Sequence, residues 1–230
     1  MRVHPAICSV VAVLGCTAAL PAMDLATTAW DVRVNAGITT PVTKLDVKGI
    51  TVGSTTENQQ LDTAKKIGPH LGVQLQRSRV GSDGVGWTIA LEGAWDHHVG
   101  QVESINNSSQ FSDGAKVALD TFTGNLFVGL VLQADLRDMG VRADTFRVEI
   151  GPTIGGGVAQ ATVDGVSSGS GPVGSAGAQI GFVSVTEGGV VIALVGGFEY
   201  SVAQVKWDNT DASTVTALGP IARLGIGYRW

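Results

Sequence analysis

The 230 residues carry 15 Lys and Arg against 20 Asp and Glu, a formal net charge of -5, with 44% hydrophobic and 15% charged side chains and 32 glycines. That much apolar character excludes a disordered chain, and the glycines lack the every-third spacing of a collagen. The cations are scattered, which excludes a basic surface for nucleic acid, and the length accommodates one domain or two small ones.

Residues 1–22 have the pattern of an export signal: Arg2 at the start, an apolar stretch from Ala6 to Ala18, and small residues before Asp24. Pro5 and Pro21 interrupt the uncharged run and leave too little continuous helix for a span of about 20 residues. Cleavage is expected after Ala18 or Ala22. Cys8 and Cys16 both lie in this segment, so the mature chain, residues 23–230, is expected to have neither disulfide nor thiol ligand. Val13-Leu14-Gly15-Cys16 is similar to a bacterial lipobox, apart from the leucine before the glycine, so acylation of Cys16 stands beside simple removal.

Beyond residue 23 the recurring pattern has period two, the mark of strands with unlike faces. The first predicted strand, Trp30 to Thr40, sets Trp30, Val32, Val34, Ala36 and Ile38 against Asp31, Arg33, Asn35 and Thr39. The second, Pro69 to Gln76, sets Leu71, Val73 and Leu75 against His70, Gln74 and Gln76. In the third, Trp87 to Asp96, the two faces carry Trp87, Ile89, Leu91 and Trp95, and Thr88, Glu92 and Asp96. The fourth covers 122–136, with Leu126, Val128, Leu130 and Leu132 opposite Asn125 and Gln133. Next, Phe146, Val148, Ile150 and Ile154 alternate with Arg147, Glu149 and Thr153. Residues 177–186 follow with Ile180 and Phe182, then Val190 to Tyr200, and last Leu218 to Trp230.

The connections alternate in length. Polar segments 41–68, 97–121, 158–176 and 201–215 are expected to be long loops at one end, and 77–86, 137–145 and 187–189 short turns at the other. The first long segment, with Leu45, Val47, Ile50 and Val52 around Gly49, is expected to form a projecting hairpin. This arrangement predicts an all-β fold; alternation alone does not separate a membrane barrel from a soluble sandwich or lipocalin, and the charges, the aromatics and the last strand decide for an eight-stranded antiparallel up-and-down transmembrane β-barrel.

The charged residues within the segments all lie on the polar parity, and the apolar-face aromatics fall at strand ends. Trp30, Trp87, Phe146 and Trp230 mark the short-turn end; Trp95, Phe122, Phe198 and Tyr200 mark the other, as two interfacial girdles require. The eight steps from Trp87 to Trp95 correspond to about 26 Å of strand and about 20 Å of height at a tilt of about 40°.

The chain closes on Leu224-Gly225-Ile226-Gly227-Tyr228-Arg229-Trp230, an alternating, aromatic-terminated strand. It resembles the final strand of Gram-negative outer-membrane proteins, although Phe is the more usual last residue. With the signal segment, the chain resembles the eight-stranded outer-membrane barrel superfamily of OmpA-, OmpX- and OmpW-like proteins, without a periplasmic domain. The resemblance implies location in the bacterial outer membrane among its lipid and lipopolysaccharide. It also implies recognition of Leu224, Ile226, Tyr228 and Trp230 by the barrel assembly machinery.

An eight-stranded barrel has a lumen that side chains fill. Arg33, Glu92, Arg147, Glu149, Glu199 and Arg223 are therefore expected to pair inside as a fixed ionic network, with Phe127 and Val131 adding to the filling. Asp96-His97-His98 could suggest catalysis or a weak metal site, but neighbouring strand residues face opposite ways and no serine pattern accompanies them, so the run is expected to be a solvated rim. His70 reads as a lone polar residue of lumen or rim. Gly169-Ser170-Gly171-Pro172-Val173-Gly174 matches a dinucleotide-binding spacing but lacks the following helix, and is expected to be a flexible surface loop. Asn106-Asn107-Ser108 is a sequon of no consequence in a bacterial loop.

The expectation for function is a small structural anchor, not an enzyme, with no cofactor or metal and with its loops available for surface interaction. The surface ligand stays open. The alternatives are a narrow porin-like channel or hydrophobic-solute conduit and, third, a hydrolase with its site at the rim.

Overall fold

A computed structural model describes residues 27–52, 55–104, 114–136, 145–163, 166–207 and 212–230. The signal segment, Cys16 and the Asn106 sequon lie outside these residues. Eight antiparallel staves close on themselves: β1 (Thr27–Thr39), β4 (Gly68–Val80), β5 (Val85–Ser104), β6 (Lys116–Asp135), β7 (Thr145–Val163), β8 (Val166–Val185), β9 (Val190–Trp207) and β10 (Ala212–Arg229). The seam joins β1 to β10, with Val34 opposite Ile226 and Asn35 opposite Gly225. Lipid offers no hydrogen bonds to a free strand edge, so closure is what makes the wall stable there.

Two further strands carry the wall upward. The chain breaks at Thr40-Pro41, resumes as β2 (Val42–Val52), returns as β3 (Thr55–Lys66), and breaks again at Ile67 before β4. β2 pairs with β10 through Thr214–Ala217, and β3 pairs with β5, so this hairpin takes the places of β1 and β4 in the outer half.

At the turn end, tight connections follow from local chemistry. Gly84 and Gly189 adopt φ of 78° and 80°, a region glycine enters without a Cβ clash. Each closes a hairpin in which its N–H bonds three residues back, to Gly81 and Thr186, as in a type I turn followed by a left-handed residue.

The predicted long loops are the main correction. Of 97–121, 158–176 and 201–215, most is strand: β5 runs to Ser104, β6 starts at Lys116, β7 and β8 leave only 164–165 between them, and β9 continues to Trp207. The dinucleotide-like stretch 169–174 is strand β8, not a loop. Alternation continues through these segments, but its polarity reverses. On β6, outward Phe122, Leu130 and Leu132 are exposed, whereas Lys116 and Asp120 point outward above them and Val117 and Leu119 are buried inside. On β9 the same reversal follows Tyr200, with Ala203, Val205 and Trp207 inward and Gln204 and Lys206 outward.

The barrel therefore has two kinds of interior. The half toward the turns is apolar outside and carries its buried charges inside, beside a smaller apolar cluster; the outer half is apolar inside, like a soluble barrel. Val42, Leu45, Leu61, Val102, Val117, Leu119, Ala161, Val205, Trp207 and Val215 belong to one buried cluster there. The outward apolar side chains circle all eight staves, far beyond the few hundred Å² tolerated on a soluble surface. On β9 the band runs from Val190 to Tyr200, about 33 Å of strand and about 25 Å of height, the thickness of an outer-membrane apolar belt. The remaining residues to Trp207 carry the wall about 18 Å beyond it.

Candidate functional site in the barrel lumen

Because strand side chains alternate, every second residue of β1, β4, β5, β7, β9 and β10 points into the polar half of the lumen. They form two linked ionic clusters. Toward the turns, Asp31 is the hub: it accepts from Arg147 Nη2 at 2.6 Å, Arg229 Nε at 2.7 Å and Arg33 Nη2 at 3.1 Å. Arg33 and Arg147 also approach Glu149 at 3.4 and 3.3 Å, and Arg147 donates to Ser78 Oγ at 3.0 Å. Both guanidiniums are 1% exposed or less. Only this density of partners makes such burial tolerable, since an isolated charge there would cost several kcal/mol.

An amide relay joins this cluster to the second. Gln76 donates to Glu149 at 2.7 Å, Gln74 to Gln76 at 3.1 Å, and Asn35 Nδ2 to both Gln74 and Glu92, at 3.0 and 2.7 Å. Arg223 then spans two carboxylates, Glu92 at 2.9 Å and Glu199 at 3.3 Å. His70 Nδ1 lies 2.6 Å from Asp96, and its Nε2 lies 3.5 Å from Glu92. His70 is thus not the lone residue expected from the sequence. Its partner stands on the adjacent stave, in register with it.

The six residues assigned to the network divide between the clusters: Arg33, Arg147 and Glu149 meet in the first, and Glu92, Glu199 and Arg223 in the second. Parity also puts Asp31, Asp96 and Arg229 on the polar face, outside the six residues assigned to the network. The signal that could have identified them is their alternation with the assigned residues, as in Asp31-Val32-Arg33. The staves β6, β8 and β9 fill the other side with Phe127, Val131, Val183, Val185, Val191 and Ala193, all buried. Between the two sides a cavity of about 20 Å³ touches Asn35, Gln74, Glu92, Asn125, Glu199 and Arg223, room for about one water. Asn35 Oδ1 and Arg223 Nε, both buried, have no protein partner.

The Asp-His-His run divides as alternation requires. His97 faces outward, with Nδ1 2.9 Å from Asp120 Oδ1, which also accepts from Trp95 Nε1 at 3.2 Å. His98 faces inward above the girdle and donates from Nδ1 to the Thr40 carbonyl at 2.8 Å, tying β5 to the break between β1 and β2. Burial lowers the His98 pKa below its ordinary value, against the raising effect of that bond. Asp96 and His70 come together inside, both buried, beneath the apolar cluster of the outer half.

Of the aromatics, Trp30 and Trp230 lie side by side across the seam through two backbone bonds of 3.2 and 3.0 Å. Phe146 stacks on Phe182 with centroids 6.4 Å apart, and Trp87 stands across from Arg79. At the other end Trp95 stands opposite Phe122, Phe198 opposite Pro220 and Tyr200 opposite Leu218. Leu224, Ile226, Tyr228 and Trp230 form an exposed apolar stripe on the outer wall.

No family model matches the chain, and no curated protein does. Among solved structures it is similar to Ail, the attachment invasion locus protein of Yersinia pestis, in complex with the heparin analogue sucrose octasulfate, at 14% identity and a TM-score of 0.41, covering 90% of this chain and 100% of that one. A second structure of Ail is similar at 14% identity and a TM-score of 0.37, covering 88% and 98%. Neisserial surface protein A follows at 10% identity and a TM-score of 0.32, covering 86% and 95%.

Proposed function

We propose that this protein is a bacterial outer-membrane anchor that does not conduct, exported through its N-terminal segment. Its outer half holds a polar wall beyond the lipid for contact with surface partners. The observation that carries this reading is the filled lumen: an ion-paired, amide-linked plug in the half within the lipid band, and a close-packed apolar cluster above it. A channel needs a continuous wet path and a solute conduit an open greasy one, and the packing of both halves among the described residues speaks against either. The burial of the Asp96 and His70 pair supports a non-enzymatic role. The four exposed residues Leu224, Ile226, Tyr228 and Trp230 are the proposed assembly signal, with the lumen network as the rigid element and the aromatics as lipid anchors.

Reconstitution into planar bilayers tests the reading, alongside fractionation of the expressing bacterium. Co-fractionation with outer membranes and a flat current trace are expected. Stable, large conductance steps would refute the plug.

A further inference from the structure

The predicted turn 77–86 is mostly strand: β4 continues to Val80 and leaves only residues 81–84 as the connection. Two side chains hidden in that expected turn thereby land on the lipid-facing wall. Among the described residues between and at the two girdles, every outward side chain is uncharged except Arg77 and Arg79. Both are exposed, and they are two residues apart on one face of β4, so their Cβ atoms lie about 7 Å apart. Arg77 stands between Trp30 on β1 and Ile89 on β5; Arg79 stands between Thr28 and Trp87. The Arg77 guanidinium sits 5.5 Å from the centre of the Trp30 ring. One register step deeper, Leu75 is exposed between Val32 and Leu91, so the pair emerges where the apolar band ends.

Among the described residues, no carboxylate forms an ion pair with either arginine. Asp31 is wholly buried on the opposite face of the wall and held by three arginines, and Asp83, at the turn tip, accepts from the Val85 amide at 3.1 Å. Two guanidiniums at the edge of a hydrocarbon layer, one of them over an indole ring, supply the positive charge and the forked N–H donors that a phosphodiester accepts from. At that depth of a bilayer, such an anion belongs to a glycerophospholipid headgroup.

We propose that Arg77 and Arg79, flanked by Trp30 and Trp87, clamp the phosphate of one anionic glycerophospholipid in the leaflet on the turn side. The site fixes the height and rotation of the barrel in the membrane at one stave. This deepens, and rests on, the reading of the chain as membrane-spanning.

The test uses the full folded mature protein in detergent micelles, titrated with dioleoylphosphatidylglycerol and followed by native mass spectrometry. Wild type is expected to retain one lipid, and Arg77→Gln/Arg79→Gln to hold it on the order of tenfold less tightly. Dioleoylglycerol, which has the same chains and no phosphate, is expected to bind both proteins alike. Arg77→Lys/Arg79→Lys is expected to fall between them, because an ammonium cannot bond the phosphate as a fork. Equal phosphatidylglycerol binding by wild type and the glutamine variant would overturn the site and leave the arginines as chains reaching water. Heat-dependent gel mobility verifies that each variant is folded. Vesicle partitioning of wild type reports separately on the membrane-spanning reading, so the two failures are distinguishable.

Discussion

The reversal of polarity along β6 makes Leu119 a sharp test. The periodic apolar face of the membrane half puts Leu126, Leu130 and Leu132 outward, and on that basis residues 97–121 would be a polar loop in which Leu119→Ala costs nothing. The structure buries Leu119 completely, opposite Ala161 on β7 and His98 on β5, within the cluster that includes Val117, Leu61 and Val205. Truncation removes roughly three methylene equivalents, about 2.4 kcal/mol at about 0.8 kcal/mol each. The walls of a closed barrel collapse poorly into a void, so a cavity term brings the loss to about 3–4 kcal/mol, within the range of about 2–5 for such substitutions. The companion Leu130→Ala, on a side chain 63% exposed toward lipid, is expected to cost less than about 1 kcal/mol in protein packing. Urea unfolding of the refolded protein in detergent measures both. Amide hydrogen exchange then locates the effect: in Leu119→Ala, protection of 116–121 falls while that of 126–132 persists. A Leu119→Ala loss below about 0.5 kcal/mol, or uniform loss of protection along β6, would refute a separately packed outer half.

Arg147→Met should destabilise the barrel by about 3–5 kcal/mol, because it strips the contacts at 2.6 Å to Asp31, 3.3 Å to Glu149 and 3.0 Å to Ser78 and leaves buried carboxylate charge behind. Adding Glu149→Gln is expected to restore part of that loss, which denaturant midpoints of the single and double variants check. His98 introduces a pH dependence in the outer half. Its folded pKa lies below the unfolded value of 6.5, so the two states bind protons equally above that value and the unfolded state binds more as pH falls through it. Stability should then drop as pH falls through about 6.5, and hydrogen exchange near Thr40 and His98 should quicken. In His98→Gln the pH-dependent part of that loss should flatten; an unchanged profile would remove His98 as its source.

Much of the wall was legible from alternation alone. Apolar residues at every second position, such as Val32 and Val34 or Leu130 and Leu132, can face only one medium. The matching parity of Arg33, Glu92, Arg147, Glu149, Glu199 and Arg223 follows from the same geometry. Parity cannot choose partners: Asp31 became the hub of three arginines only when closure brought Arg147 across the lumen and Arg229 across the seam to join Arg33, and His70 met Asp96 when β4 and β5 paired in register.

The strand period, the lipid-facing stripe and the charge-bearing face can be read from the order of the residues, since these depend on local side-chain direction. Where the lipid ends emerges only from the closed barrel. Above the girdle the same period serves an apolar interior and a polar wall, and a one-dimensional pattern does not mark which medium surrounds a given residue. Closing the eight staves did, by placing Val117 and Leu119 inside above Phe122, and Arg77 and Arg79 outside at the opposite rim.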